Sequence, residues 1–127
     1  MPLKLDGFVI TRALFTGCFA FSDRALETLW VAHVSREAHF QRLSGHFGNE
    51  WGVDFPIHAV VSDVGMHGSA GILLAHNHPS GDPTPSEADR RATRRLACAL
   101  EALNCAVIDH LVFAGTRCVS FREQGLL

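Results

Sequence analysis

Two histidines separated by one residue, His76 and His78, close an apolar run, and Asp89 follows His78 after a further eleven positions. Residues two apart on a β-strand project from the same face with Cα atoms roughly 6.5 Å apart, so both imidazoles can reach one ion at about 2.0 to 2.1 Å from each nitrogen. Asp89, in the first turn of a helix behind the intervening loop, would be able to swing its carboxylate back toward the strand end. Two imidazoles and a carboxylate leave a fourth position open to water, which is the arrangement of a catalytic rather than a structural zinc site. Ser86, three residues before Asp89, reads on its own as half of a helix capping box, and the serine and aspartate taken alone favour that reading over catalysis. Capping and ligation can share one carboxylate.

The elements that must position these residues are visible in the pattern. Residues 70 to 78 form an apolar run stopped by Pro79, with the length and bounds of a buried central strand. The segment from Pro79 to Pro85 is rich in turn formers. Ser86-Glu87-Ala88-Asp89 then opens a helix whose expected apolar face is Ala92, Leu96, Ala99, Leu100 and Leu103. Upstream, Ile57, Val60, Val61 and Val64 recur at helical spacing between Pro56 and Gly68. Glu27 to Val34 and Ala38 to Leu43, joined at Ser35-Arg36-Glu37, predict one hairpin; Ala106 to Ala114 and Cys118 to Phe121, joined at Gly115-Thr116-Arg117, predict another. Gly45 to Asp54 reads as a loop, and Thr11 to Ala20 as a short helix broken at Gly17. Strands and helices alternate, so the expected class is α/β, a mixed sheet with flanking helices.

With 127 residues, 47% hydrophobic and 19% charged, the chain suits one compact domain over 1–127, residues 1–21 being only loosely assigned, and intrinsic disorder is excluded. No apolar stretch approaches the roughly 18 residues that a membrane span needs. The N-terminus has no basic run followed by an apolar one, so a cytoplasmic location is expected. A net charge of −2 recommends no polyanionic partner globally. Cys18, Cys98, Cys105 and Cys118 are scattered, without a Cys-x-x-Cys pair, and read as reduced, mostly buried thiols. Phe8, Phe15, Phe19 and Phe21 read as core.

The spacing His76-x-His78-x7-Ser86-x-x-Asp89 matches the motif of the JAMM (JAB/MPN+) metalloproteases. The wider string His76-Asn77-His78-Pro79-Ser80-Gly81-Asp82-Pro83, with Asp109-His110 downstream and the ending Gly125-Leu126-Leu127, resembles the RadC branch, closely over 70–127 and more loosely over 22–69. The resemblance implies a three-layer cytidine-deaminase-like JAB/MPN fold, one Zn2+ per chain held by His76, His78 and Asp89, and Ser86 assisting an oxyanion. It also implies an upstream glutamate as general base. Glu27, before a hydrophobic strand, matches best, ahead of Glu37 and Glu50. The implied reaction is hydrolysis of a peptide or isopeptide. Asp109-His110 reads equally as a partner of a zinc ligand and as a structural hydrogen bond.

Two alternatives stand beside that reading. Arg90, Arg91, Arg94 and Arg95 put four of the eleven basic residues in one stretch of helix, which suits a solvated face but would also suit a nucleic acid. RadC-like proteins are associated with DNA repair and often carry an N-terminal helix-hairpin-helix segment for which this length leaves no room, so that association is not expected to transfer. The other alternative is a JAB/MPN binding module without turnover. A zinc deaminase is disfavoured because no Pro-Cys-x-x-Cys follows.

Overall fold

The computed structural model describes residues 5–20, 26–47 and 56–127. In chain order the elements are α1 (Leu5–Ala20), β1 (Thr28–Val34), β2 (Phe40–Phe47), α2 (Ile57–His67), β3 (Gly71–Asn77), α3 (Glu87–Glu101), β4 (Ala106–Ala114) and β5 (Arg117–Ser120). The strands form one five-stranded sheet ordered β2-β1-β3-β4-β5. Both predicted hairpins are present, β1 with β2 and β4 with β5. β1 also pairs antiparallel with β3, while β3 and β4 are parallel. A parallel pair requires a crossover, and α3 supplies it.

Both faces of the sheet are covered, which is why β3 is buried at every position. On one face Leu29, Val31, Ile72, Leu74 and Val107 meet Val60 and Val64 of α2 and Leu96 and Leu100 of α3. On the other, Ala32, Val34, Leu73, Ala75, Ile108 and Phe113 meet Phe15 of α1, with Phe19 packed beside them. The result is the three-layer α/β arrangement expected from the sequence. α2 stops where anticipated, at Gly68, whose φ of 65° is left-handed and whose N–H bonds to the Val64 carbonyl at 2.8 Å. Among the described residues no helix is long and apolar enough to cross a membrane.

Four expectations need correction. α1 runs through Gly17 instead of breaking there, because the fully buried Phe15 anchors the helix on the sheet. A glycine inside a helix costs about 1 kcal/mol relative to alanine, too little to interrupt an anchored one. Gly45 begins no loop: β2 continues to Phe47, and Gly45 pairs with Trp30, whose ring carbon would lie 2.8 Å from an added Cβ. The glycine is there for a close approach, not a turn. The buried stripe of α3 is Asp89, Ala92, Thr93, Leu96 and Leu100, whereas Ala99 is exposed and Leu103 lies past the helix end. That stripe is rotated toward two polar residues, a shift that apolar periodicity does not reveal. Finally, all four cysteines are free, but only Cys105 is buried; Cys18 and Cys118 are half-buried and Cys98 is exposed.

Of the four phenylalanines expected in the core, Phe15 and Phe19 are there, whereas the Phe8 side chain and Phe21 lie outside the described residues.

Candidate metal centre

His76 is the last residue of β3 on the face toward α3 and is fully buried. His78 follows the strand, yet its N–H bonds to the Phe113 carbonyl at 2.8 Å, so the chain stays alongside β4 for one residue more. The two rings therefore share a face, with centroids 4.8 Å apart, as strand alternation predicts. The following loop is tied to the β4–β5 turn by Arg117, which donates to the Gly81 carbonyl at 2.6 Å. Ser86 then caps α3. Its Oγ accepts the Asp89 N–H at 3.0 Å, and Asp89 Oδ2 accepts the Ser86 N–H at 2.9 Å. This reciprocal box turns the Asp89 carboxylate out of the helix and back toward the strand end.

The result is a triangle of ligand-type atoms. His78 Nε2 lies 2.9 Å from Asp89 Oδ2 and 3.0 Å from His76 Nε2, and the third edge, His76 Nε2 to Asp89 Oδ2, is 3.4 Å. Ligands of a tetrahedral ion at 2.0 to 2.1 Å stand about 3.3 to 3.4 Å from one another, so the triangle is slightly contracted from that of a bound zinc. His78 Nδ1 lies 2.8 Å from the Asp82 carbonyl. A carbonyl only accepts, so Nδ1 carries a proton and a neutral ring presents its Nε2 lone pair to the centre. Lone pairs and a carboxylate oxygen converging this closely require a cation among them, a proton or a metal ion. The donor set thus fits a divalent ion.

Electrostatics agree. Burial pushes the Asp89 carboxyl up, but its contacts with His76 and His78 outweigh it and hold the group well below the usual carboxylate range. The hydrogen bond to Asp89 raises His78, against the opposing effect of burial.

Glu27 immediately precedes β1, and the β1–β3 register, Leu29 opposite His76, brings it across from the end of β3. The ligand atoms of Glu27, His76 and His78 all lie within 4.8 Å of one another. Asn77 fixes this approach: its Oδ1 accepts the Thr28 N–H at 2.7 Å and its Nδ2 donates to the Leu26 carbonyl at 2.9 Å, bracketing Glu27. Its role escapes sequence reading, although it stands between the two histidines. Glu37 sits in the turn after β1, so the seven-residue strand separates it from this end, by roughly 20 Å at strand rise. Glu50 lies outside the described residues. Glu27, His78, Ser80, Asp82, Ser86 and Asp89 line an open cleft of about 450 Å³.

Asp109 and His110 part company. Asp109 accepts the N–H groups of His110 and Arg122 and the Ser120 hydroxyl, at 2.7, 3.0 and 2.6 Å, which ties down the segment after β5. His110 instead lies behind the centre, fully buried, with Nε2 2.7 Å from His76 Nδ1 and its ring stacked on Phe121. Burial, with the neighbouring His76, holds its pKa well below that of a free histidine. Of the four arginines in α3, Arg90 and Arg94 lie 3.6 and 3.7 Å from Glu87, while Arg91 and Arg95 are exposed.

Residues 12–126 match the RadC-like JAB domain. The chain belongs to the RadC-like JAB domain family. A UPF0758 protein of Xanthomonas euvesicatoria pv. vesicatoria is 45% identical over 76 residues, which are 60% of this chain and 34% of that protein. The UPF0758 proteins YfjY and YeeS of Escherichia coli K12 are each 52% identical, over 59 and 68 residues. Those stretches are 46% and 54% of this chain, and 37% and 46% of the respective relatives. This RadC-like JAB domain therefore spans less than half the length of these curated relatives.

Proposed function

We propose that this RadC-like JAB domain is a zinc metallohydrolase of JAMM type that cleaves an amide or isopeptide bond. The observation that carries the reading is the convergence of two Nε2 atoms and one carboxylate oxygen within 3.4 Å beside an open cleft. His76, His78 and Asp89 would hold the ion. A zinc ion so bound lowers the pKa of its water to about 7 and polarises a carbonyl oxygen. Glu27, at the cleft edge, takes the proton from the attacking water and returns it to the leaving amine. Ser86 keeps its hydroxyl proton, because its Oγ serves the helix cap as an acceptor. It can donate that proton to the oxygen that gains charge.

Metal analysis of the purified protein beside His78→Ala and Glu27→Gln tests both assignments. About one zinc per chain is expected, lost in the first variant and kept in the second. Against fluorogenic peptide and isopeptide substrates, Glu27→Gln is expected to lose about 10² to 10⁴ in rate. Equal zinc in all three proteins overturns the ligand set, and unchanged hydrolysis by Glu27→Gln overturns the base. Zinc binding without hydrolysis in the parent protein would favour the binding-module reading. The arginine cluster lends a nucleic-acid role little support, since Glu87 counters two of its four charges.

A further inference from the structure

We propose that His110, oriented by Thr93, is a positioning residue that holds His76 in the tautomer whose Nε2 lone pair faces the centre. The proposal rests on the ligand role given to His76 above and adds what sets that ring's protonation. Three contacts line up behind the site. His76 Nδ1 lies 2.7 Å from His110 Nε2, His110 Nδ1 lies 2.8 Å from Thr93 Oγ, and the Thr93 hydroxyl donates to the Asp89 carbonyl at 2.8 Å. Thr93 is 1% exposed and His110 0%, so solvent offers neither an alternative partner.

The direction of the chain is fixed from one end. A carbonyl can only accept, and a hydroxyl has one proton, so Thr93 gives its proton to Asp89 and must accept from His110 Nδ1. The neutral His110 ring then has a bare Nε2, which accepts from His76 Nδ1. His76 is left with its lone pair on Nε2, 3.0 Å from His78 Nε2 and 3.4 Å from Asp89 Oδ2. Run the other way, the chain would place a proton on His76 Nε2 that an arriving ion must displace. It would also leave two buried acceptor oxygens facing each other at Thr93 and Asp89.

The chain begins on the backbone of the residue whose side chain faces the centre. Asp89, Thr93, His110 and His76 thereby join the first turn of α3 to the end of β3 through β4. A partner behind a ligating histidine is commonly a carboxylate, a carbonyl or water, and its loss typically costs 10 to 100-fold in metal affinity. Here it is a second imidazole.

The test uses protein carrying ¹⁵N-labelled histidine. Two-bond ¹H–¹⁵N correlation should show a proton on Nδ1 of both His76 and His110, with and without zinc; a bare His76 Nδ1 overturns the proposal. Zinc competition against a chromogenic chelator is expected to show Thr93→Val weakened about 10 to 100-fold and Thr93→Ser within about threefold of the parent. Thr93→Val within threefold of the parent, or both variants equally weakened, overturns it as well, the second because lost packing would then account for the effect. A Thr93→Val chain that fails to fold leaves the decision to the parent spectrum. A parent that takes up no zinc defeats the proposed function, while the zinc-free spectrum still decides the tautomer.

Discussion

Two fully buried histidines sit at opposite ends of the same sheet, His33 near the end of β1 and His76 near the end of β3. The ring nitrogens of His33 face two hydroxyls, Ser69 Oγ at 2.8 Å and Ser44 Oγ at 3.4 Å. Those of His76 face another imidazole on one side and, on the other, the converging atoms of His78 and Asp89. Burial is the same, so burial does not mark the candidate ligand. The mark is what the second nitrogen meets: a hydroxyl, which can give or take a proton and closes the account locally, or a group of acceptors that needs a cation.

Substitutions at the two rings should separate most sharply. His76→Leu is expected to abolish zinc uptake, whereas His33→Leu keeps the full metal content and loses about 1 to 3 kcal/mol of stability from the stranded Ser69 hydroxyl. Metal analysis and urea unfolding of the pair read both effects, and a His33 variant that also loses zinc would erase the contrast. Asn77→Ala comes next. It removes both bonds that bracket Glu27 and leaves the buried Thr28 N–H unpaired, so a loss of about 1 to 3 kcal/mol is expected together with reduced hydrolysis at unchanged zinc content. Reduced zinc content in that variant would show that Asn77 supports the ligands and not the glutamate.

The smallest effect is a pH dependence. Burial, reinforced by Arg42 and opposed by Asp63, lowers the His33 pKa from 6.5. The unfolded chain therefore takes up a proton at this site before the folded one does, and stability rises with pH wherever that holds. The His33 contribution is intact above about pH 6.5 and declines as pH falls toward the lower folded value. His110 slopes the same way, so the measurable quantity is a difference between proteins. Urea midpoints of the parent should fall more than those of His33→Leu between pH 7.5 and 5.5; parallel curves would show that His33 does not couple to folding.

The sequence is an uneven guide to the two ends. The shared face of His76 and His78 follows from strand alternation, and Ser86 with Asp89 announces itself as a helix start, because both patterns lie within a few consecutive residues. Glu27 is legible only as a carboxylate before a hydrophobic strand; the register of β1 on β3 is what sets it beside the histidines, with Glu37 at the far turn. Asn77 reaches back 49 residues to Thr28, and His110 touches residues 17 and 34 positions away. Contacts of that span depend on the fold as a whole and leave no periodic trace. Gly17 and Gly45 differ from expectation for a related reason, since a glycine reads as a breaker in the sequence and only the fold brings in the buried Phe15 or the ring of Trp30.

The capping box of α3 ties the candidate centre to the fold itself. The Asp89 carboxylate is bonded to the Ser86 N–H and His78 Nδ1 faces the Asp82 carbonyl, so the backbone of the helix start and of the loop before it holds both side chains. Small zinc modules collapse when stripped of their metal. Here the core on both faces of the sheet is built without His76, His78 or Asp89, so under the zinc reading chelation is expected to cost occupancy and leave the helix start in place.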